Sequence, residues 1–222
     1  MNRCASRWNP PTLLIGGSKK TAAEKQELKH NPEAEFRDSV GAQFADGPTV
    51  LGFPAPGVKQ AMAEAALETP GAKKTAVNRL VFMPEARIRI WGKPLLKMDV
   101  VRSADMNKTP DIRTRAYLPR WGAEIDIAFV TPALSVHSII SLLANAGIIV
   151  GIGDFRQGKG KGSFGTFAVA GDDLGELADE WRGITAEGRM VQLAALAQPE
   201  SADAETQELL AILQAERARR AA

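Results

Sequence analysis

The residues best suited to chemistry lie in one segment, Gly151-Ile152-Gly153-Asp154-Phe155-Arg156-Gln157-Gly158-Lys159-Gly160-Lys161-Gly162-Ser163-Phe164-Gly165. Six glycines in these fifteen residues permit positive φ and let backbone amides approach a ligand closely. Arg156, Lys159 and Lys161 put cations in the same loop, the charge a phosphate requires, and successive amides can form an anion nest there. Phe155 and Phe164 offer faces on which bases can stack. The segment is not a Walker A loop, because no Gly-Lys-Ser/Thr follows a four-residue spacer at a helix start. It is not a dinucleotide fingerprint either, since strand-like sequence follows the glycines. The bland alternative is a hairpin tip whose glycines merely permit a turn, although interleaved cations exceed what a turn requires.

Other reactive side chains are isolated. His137 sits near Ser135 and Ser138 at a helix start, but without a paired acid or nucleophile it reads as a surface or capping residue. His30 precedes Asn31-Pro32 and reads as turn sequence. Asp99 lies in strand-like sequence near Arg102 and reads as an ion-pair partner, while Asp105 and Asp111 sit in a basic stretch as solubilising acids. The single cysteine, Cys4, excludes an internal disulfide and a multi-cysteine zinc site. No catalytic residue, metal ligand or cofactor is therefore assigned, and the chain is read as a non-enzyme.

Charge is unevenly distributed. Residues 73–120 hold twelve Lys or Arg against four acids, whereas residues 171–222 hold eleven acids against five arginines. A basic body with an acidic tail is the expectation, and a basic surface draws polyanions by counterion release. A solvated basic face without a partner is the plainer alternative. At 222 residues, 45% of them apolar, the chain is long enough to bury a core. No apolar run approaches the roughly 20 residues that span a bilayer. Met1–Trp8 lacks the apolar region of a secretory signal, so the cytoplasm is the expected address.

The elements that must position the loop are read from periodicity. Residues 1–47 read as an irregular arm with two short polar helices, over 21–29 and 33–44. Residues 48–170 read as the folded domain and 171–222 as an acidic helical tail. Thr49–Phe53 is a strand stopped by Pro54-Ala55-Pro56-Gly57, and Val58–Leu67 a helix with Val58, Met62, Ala65 and Ala66 on one side. Ala76–Met83, Ala86–Trp91 and Leu95–Arg102 read as strands, with Arg87 and Arg89 on a wet face. Ser103–Pro119 is aperiodic and basic, hence a long loop or protruding hairpin. Arg113 and Arg115 flank Thr114, so in an extended chain both point to one side and could clamp consecutive phosphates.

Ala123–Val130 alternates as a half-buried strand, Ser135 caps a helix ending at Ala146, and Gly147 is placed as its C′ glycine. Ile148–Val150 and Gly165–Ala170 read as further strands. Strand, helix and strand suit a split βαβ unit, hence an α+β, ferredoxin-like (RRM-type) core. Helices follow over 173–182, 190–197 and 204–220, the last packing either on a neighbour or back on the body.

An apolar residue, Gly-x-Gly, a spacer with Lys or Arg, further glycines and a strand is similar to the glycine-rich loop of the RAMP superfamily. These are CRISPR-associated RNA-binding proteins with ferredoxin-like folds. Here the pattern runs from Val150-Gly151-Ile152-Gly153 to Gly165-Thr166-Phe167. Phe53-Pro54-Ala55-Pro56-Gly57-Val58-Lys59-Gln60-Ala61-Met62 also resembles the loop-then-helix element, with its lysine, of the backbone-forming subfamily. The resemblance covers residues 49–170. The loop departs from the pattern in its length and its repeated Lys-Gly, and the tail has no counterpart; a phage-encoded relative would fit.

The resemblance implies subunits that polymerise along RNA, with a protruding hairpin such as 103–119 intruding between nucleotides. The combined expectation is an RNA or single-stranded DNA backbone binder that assembles with copies of itself or related subunits. Lys59, Arg113, Arg115, Arg156, Lys159 and Lys161 would hold phosphates, and Phe155 and Phe164 would stack on bases. The acidic tail would contact a neighbouring subunit or mask the basic face. Two rivals stand beside it: a metal-dependent RNA-processing nuclease using Asp105 or Asp111, and a phage structural or assembly protein.

Overall fold

The computed structural model describes residues 2–5, 13–15, 30–40, 44–102, 110–158, 162–170 and 177–221. The elements in chain order are β1 (Asn2–Ala5), β2 (Leu13–Ile15), α1 (Pro32–Ser39), β3 (Leu51–Pro54), α2 (Ala55–Ala65), α3 (Lys74–Leu80), β4 (Val81–Phe82) and β5 (Arg87–Trp91). They continue with β6 (Leu95–Arg102), β7 (Pro110–Leu118), β8 (Gly122–Ile125), β9 (Ala128–Phe129), α4 (Val136–Ile149), α5 (Ala178–Ala186), α6 (Arg189–Ala197) and α7 (Ala204–Ala221). The chain is thus mixed α and β, with small antiparallel sheets.

Among the described residues the strands form sheets of order β1-β8-β5-β3, β2-β7-β6 and β4-β9, and every ladder is antiparallel. A ferredoxin-like core is not confirmed by this order. Its split βαβ unit needs two parallel strands flanking a third, whereas β3 and β5, joined through α2 and α3, pair directly and antiparallel. The strand expected over 148–150 does not form, because α4 continues through Ile149. Residues 165–170 hold a single bridge position, Val169, rather than a strand.

The stretch read as an irregular arm contributes β1 to β8 and β2 to β7. Asn31 caps α1, accepting the Ala34 amide, and Phe36 is buried in the main core. The proline turn before α2 begins the helix instead of preceding it: Pro54 is the N-cap, and Pro56 falls in the first turn, where no amide bond is lost. Ala76–Met83 is mostly helix α3, because Asn78 and Arg79 interrupt the apolar run and leave Val77 as its one buried residue. Of 103–119, residues 110–118 are a regular strand paired with β6 from Leu95↔Tyr117 to Arg102↔Pro110, so the hairpin alternative describes it better than the loop.

Gly147 is not a helix terminator. It lies inside α4, and a Cβ there would overlap the Phe167 carbonyl oxygen, whose residue's amide bonds to the Gly147 carbonyl at 3.1 Å. The glycine exists to let 166–168 cross the helix in backbone contact.

The acidic segment docks on the body. Trp181 of α5 meets Trp91 with ring centroids 5.5 Å apart. Ser201 bridges Leu96 in parallel, with Leu96 N to Glu200 O and Ala202 N to Leu96 O both at 2.8 Å. Gln192 of α6 is fully buried at the end of the β3–β5 ladder, donating to the carbonyls of Ile90 and Gly92. The last helix therefore packs back on its own chain through β6.

Candidate nucleic-acid interface

The glycine-rich loop springs from the C-terminus of α4 and is closed at its neck by backbone bonds. Ile152 N donates to Gly165 O at 2.9 Å, Gly158 N to Val150 O at 3.1 Å, and Asp154 N to Leu14 O of β2 at 2.7 Å. Gly151, Gly153 and Gly165 have φ of 72, 87 and 73 degrees. Side chains at Gly162 and Gly165 would overlap the carbonyls of Phe155 and Ile152. Gly151, Gly162 and Gly165 thus serve the close approach of the loop's two limbs, Gly153 serves the approach of the loop to Leu14 of β2, and the amides of 152, 154 and 158 are spent on internal bonds. The anion nest expected there is not built from these amides.

Asp154 is the anchor that the sequence reading missed. Its carboxylate lies 2.8 Å from Arg115 Nε in an ionic contact, and its other oxygen accepts the Phe155 amide at 3.0 Å. Arg115 also donates to Asp99 at 3.1 Å and is only 5% exposed. It cannot clamp a phosphate: two carboxylates already hold it, which corrects its assignment. Alternation along β7 does put Arg113 and Arg115 on one face, but the loop covers only Arg115. Arg113 stays exposed, 3.9 Å from Asp111. The sequence signal for Asp154 was only that it is a lone acid among the loop's cations; its partners on β6 and β7 are set by the fold.

Phe155 has φ of 50 degrees, unusual for a bulky residue, and its side chain is exposed. Its ring lies 6.1 Å from Phe164, which meets Tyr117 of β7 edge-on at 6.2 Å. Phe164 is therefore a half-buried support, and Phe155 is the face turned to solvent. Arg156 bends back, donating to Gly153 O at 3.0 Å. Lys159 and Lys161 lie outside the described residues, as does Asp105. Lys59 is not at the loop; it donates to Asn78 O at 3.0 Å and stands over the Phe82 ring at 5.7 Å.

Compared with known protein families, curated proteins and solved structures, the chain matches none. Its interface is read from its own geometry.

The charge asymmetry is settled in part inside the chain. Lys93 pairs with Glu200 at 2.7 Å, Lys97 with Asp203 at 2.6 Å and Arg120 with Glu187 at 3.2 Å. Because Gln192 plugs the core of the same segment, these acids are a built-in part of the fold and not a detachable mask. Lys97 also meets Asp99 at 3.3 Å, so Asp154, Arg115, Asp99, Lys97 and Asp203 form one alternating chain from the loop to α7. His30, read as turn sequence, is buried, 2.8 Å from Glu35 and 3.4 Å from the Thr114 hydroxyl. His137 is exposed at the start of α4.

Burial works against ionisation of Asp203, but bonds from Lys97 and Thr206 prevail and bring its carboxyl from 3.8 down to about 2. For Lys97, burial is likewise outweighed by Asp203 and Asp99, which hold its pKa above the ordinary value. A depressed acid stabilises the fold above its unfolded pKa and loses that contribution as pH falls through the folded one. The docking of α7 will therefore weaken between about pH 4 and pH 2. Urea midpoints of wild type and Asp203→Asn should differ at neutral pH and converge over that window. A constant difference would remove this ion pair as the tether.

Proposed function

We infer that the chain binds single-stranded nucleic acid, RNA foremost, through loop 151–165 and the neighbouring edge of β7. The observation that carries this reading is Phe155: an exposed aromatic ring on a left-handed backbone, braced by Phe164, beside a stretch containing Lys159 and Lys161. A tethered neck under an exposed ring is a preorganised stacking platform, and every base has a face that fits it. Arg113, two residues along the strand from the Arg115 anchor, stands about 7 Å further on and adds a phosphate contact at the same edge.

The loop and Arg113 should contribute about −2 to the log–log salt slope of binding to a fluorescein-labelled oligouridine, the value for about three phosphates on a single strand. Phe155→Ala should cost roughly tenfold in affinity, in line with about 1–3 kcal/mol for a stacked base, and leave the salt slope unchanged. Wild-type protein that ignores the oligonucleotide at low salt would end this reading. Assembly along the strand, which the RAMP resemblance implies, is a further part of the proposal. Light scattering with and without a long oligonucleotide reads it directly, and a persistent monomer would remove it.

A further inference from the structure

We propose that α3 and β4 form a second contact surface for the same single strand, on the opposite flank of α2 from the glycine-rich loop. This rests on the reading of the loop as a nucleic-acid site. Helix α3 buries only Val77 and half-buries Ala76 and Leu80, so Lys74, Thr75, Asn78 and Arg79 form a face open to solvent. Lys73, Lys74 and Arg79 are exposed, and their side chains make no ion pair among the described residues. This sets them apart from Lys93, Lys97 and Arg120, which the acidic segment neutralises.

The chain then turns directly into β4, where Phe82 is 50% exposed although its strand is paired with β9. Lys59 reaches over from α2 to the Phe82 ring and the Asn78 carbonyl, which fixes an aromatic face beside the cations. Free positive charge around a solvent-facing ring is the combination that holds phosphates and stacks an unpaired base. A duplex buries its base faces, so the ring favours a single strand.

The two surfaces are close enough to share one strand. Glu64 of α2, bonded to Gln60 at 3.0 Å, lies 3.4 Å from the position of a Cβ on Gly158. Lys59 is five residues earlier on that helix, a rise of about 7.5 Å. Helix α2 is thus the ridge between the loop and the α3 surface.

The test is a Lys73→Ser, Lys74→Ser, Arg79→Ser triple variant, with Phe82→Ser as a separate change. All four side chains are exposed, so circular dichroism should be unaltered. With a labelled oligouridine the triple variant should flatten the salt slope by about 2, since each single-strand phosphate contributes about 0.7. Photocrosslinking with a thiouridine-containing strand should label the peptide carrying Phe82, and Phe82→Ser should abolish that label.

An unchanged slope with no label at Phe82, while Phe155→Ala still weakens binding, would overturn the second surface and leave the loop site standing. A flattened slope with Phe155→Ala inert would overturn the loop reading and keep α3 as a polyanion site. Wild-type protein that fails to bind would overturn both.

Discussion

Replacing Gln192 with leucine will lower the unfolding free energy by about 4 kcal/mol, seen as a matching drop in the urea midpoint with little change in slope. Gln192 is fully buried, and its amide occupies the place where the β3–β5 ladder opens. Its oxygen accepts from Val50 N at 2.8 Å and from the Thr49 hydroxyl at 2.6 Å. Its nitrogen donates to the carbonyls of Ile90 at 3.0 Å and Gly92 at 3.1 Å. Leucine is similar in size, so packing is nearly kept, but an amide and a Gly92 carbonyl lose their partners in a dry site. Each buried unsatisfied group costs about 1–3 kcal/mol. The Thr49 hydroxyl can still turn to Ile90 O, which keeps the sum from rising further. Gln192→Glu separates this from shape: one acceptor is kept and both donated bonds are lost, so it should be destabilising as well, and more so as pH rises. A leucine variant as stable as wild type would mean that α6 is not keyed into the sheet by this side chain.

How much of this was legible in the sequence depends on what each residue answers to. The strands β5 and β6 were readable almost to the residue, because Arg87-Ile88-Arg89-Ile90 alternates with a buried face. The helices α6 and α7 were readable for the same local reason. Gly147 was misread because a helix-ending glycine and a helix-crossing glycine look alike until Phe167 is placed against it. Ala123–Val130 was read as one strand, yet it splits at Asp126-Ile127 into β8 and β9, which serve different sheets. Periodicity reports which face is buried and is silent about which partner buries it.

The site divides in the same way. The exposed ring of Phe155 and the support from Phe164 follow from a loop that could be recognised by its glycines and cations. The loss of Arg115 to Asp99 and Asp154 could not, since the three lie far apart in sequence and meet only when β6, β7 and the loop are assembled. The same applies to the basic body: net charge by segment exposed the asymmetry, but only the docked helices show that Lys93, Lys97 and Arg120 are already satisfied. What remains for a polyanion is a smaller set of cations than the sequence suggested, gathered at the loop edge and on α3.

Gly165→Ala joins fold and function most directly. Gly165 has φ of 73 degrees, and a Cβ there would run into the Ile152 carbonyl, backbone that cannot rotate away as a side chain can. The left-handed conformation alone costs a non-glycine residue about 1–2 kcal/mol, and forced repacking adds about 1–3 kcal/mol. A loss of about 3 kcal/mol is expected if the neck stays closed. The cheaper response is for the neck to open, breaking the bond from Ile152 N to Gly165 O and releasing the limb that carries Phe164. Phe155 would then lose its brace, and oligonucleotide affinity should fall at least as far as in Phe155→Ala. Faster amide exchange at Ile152, with the exchange of Asp99 and Thr114 unaltered, would locate the damage at the neck. Full affinity with an intact neck would mean that the glycine is only a packing device, and that the platform does not depend on the loop's closure.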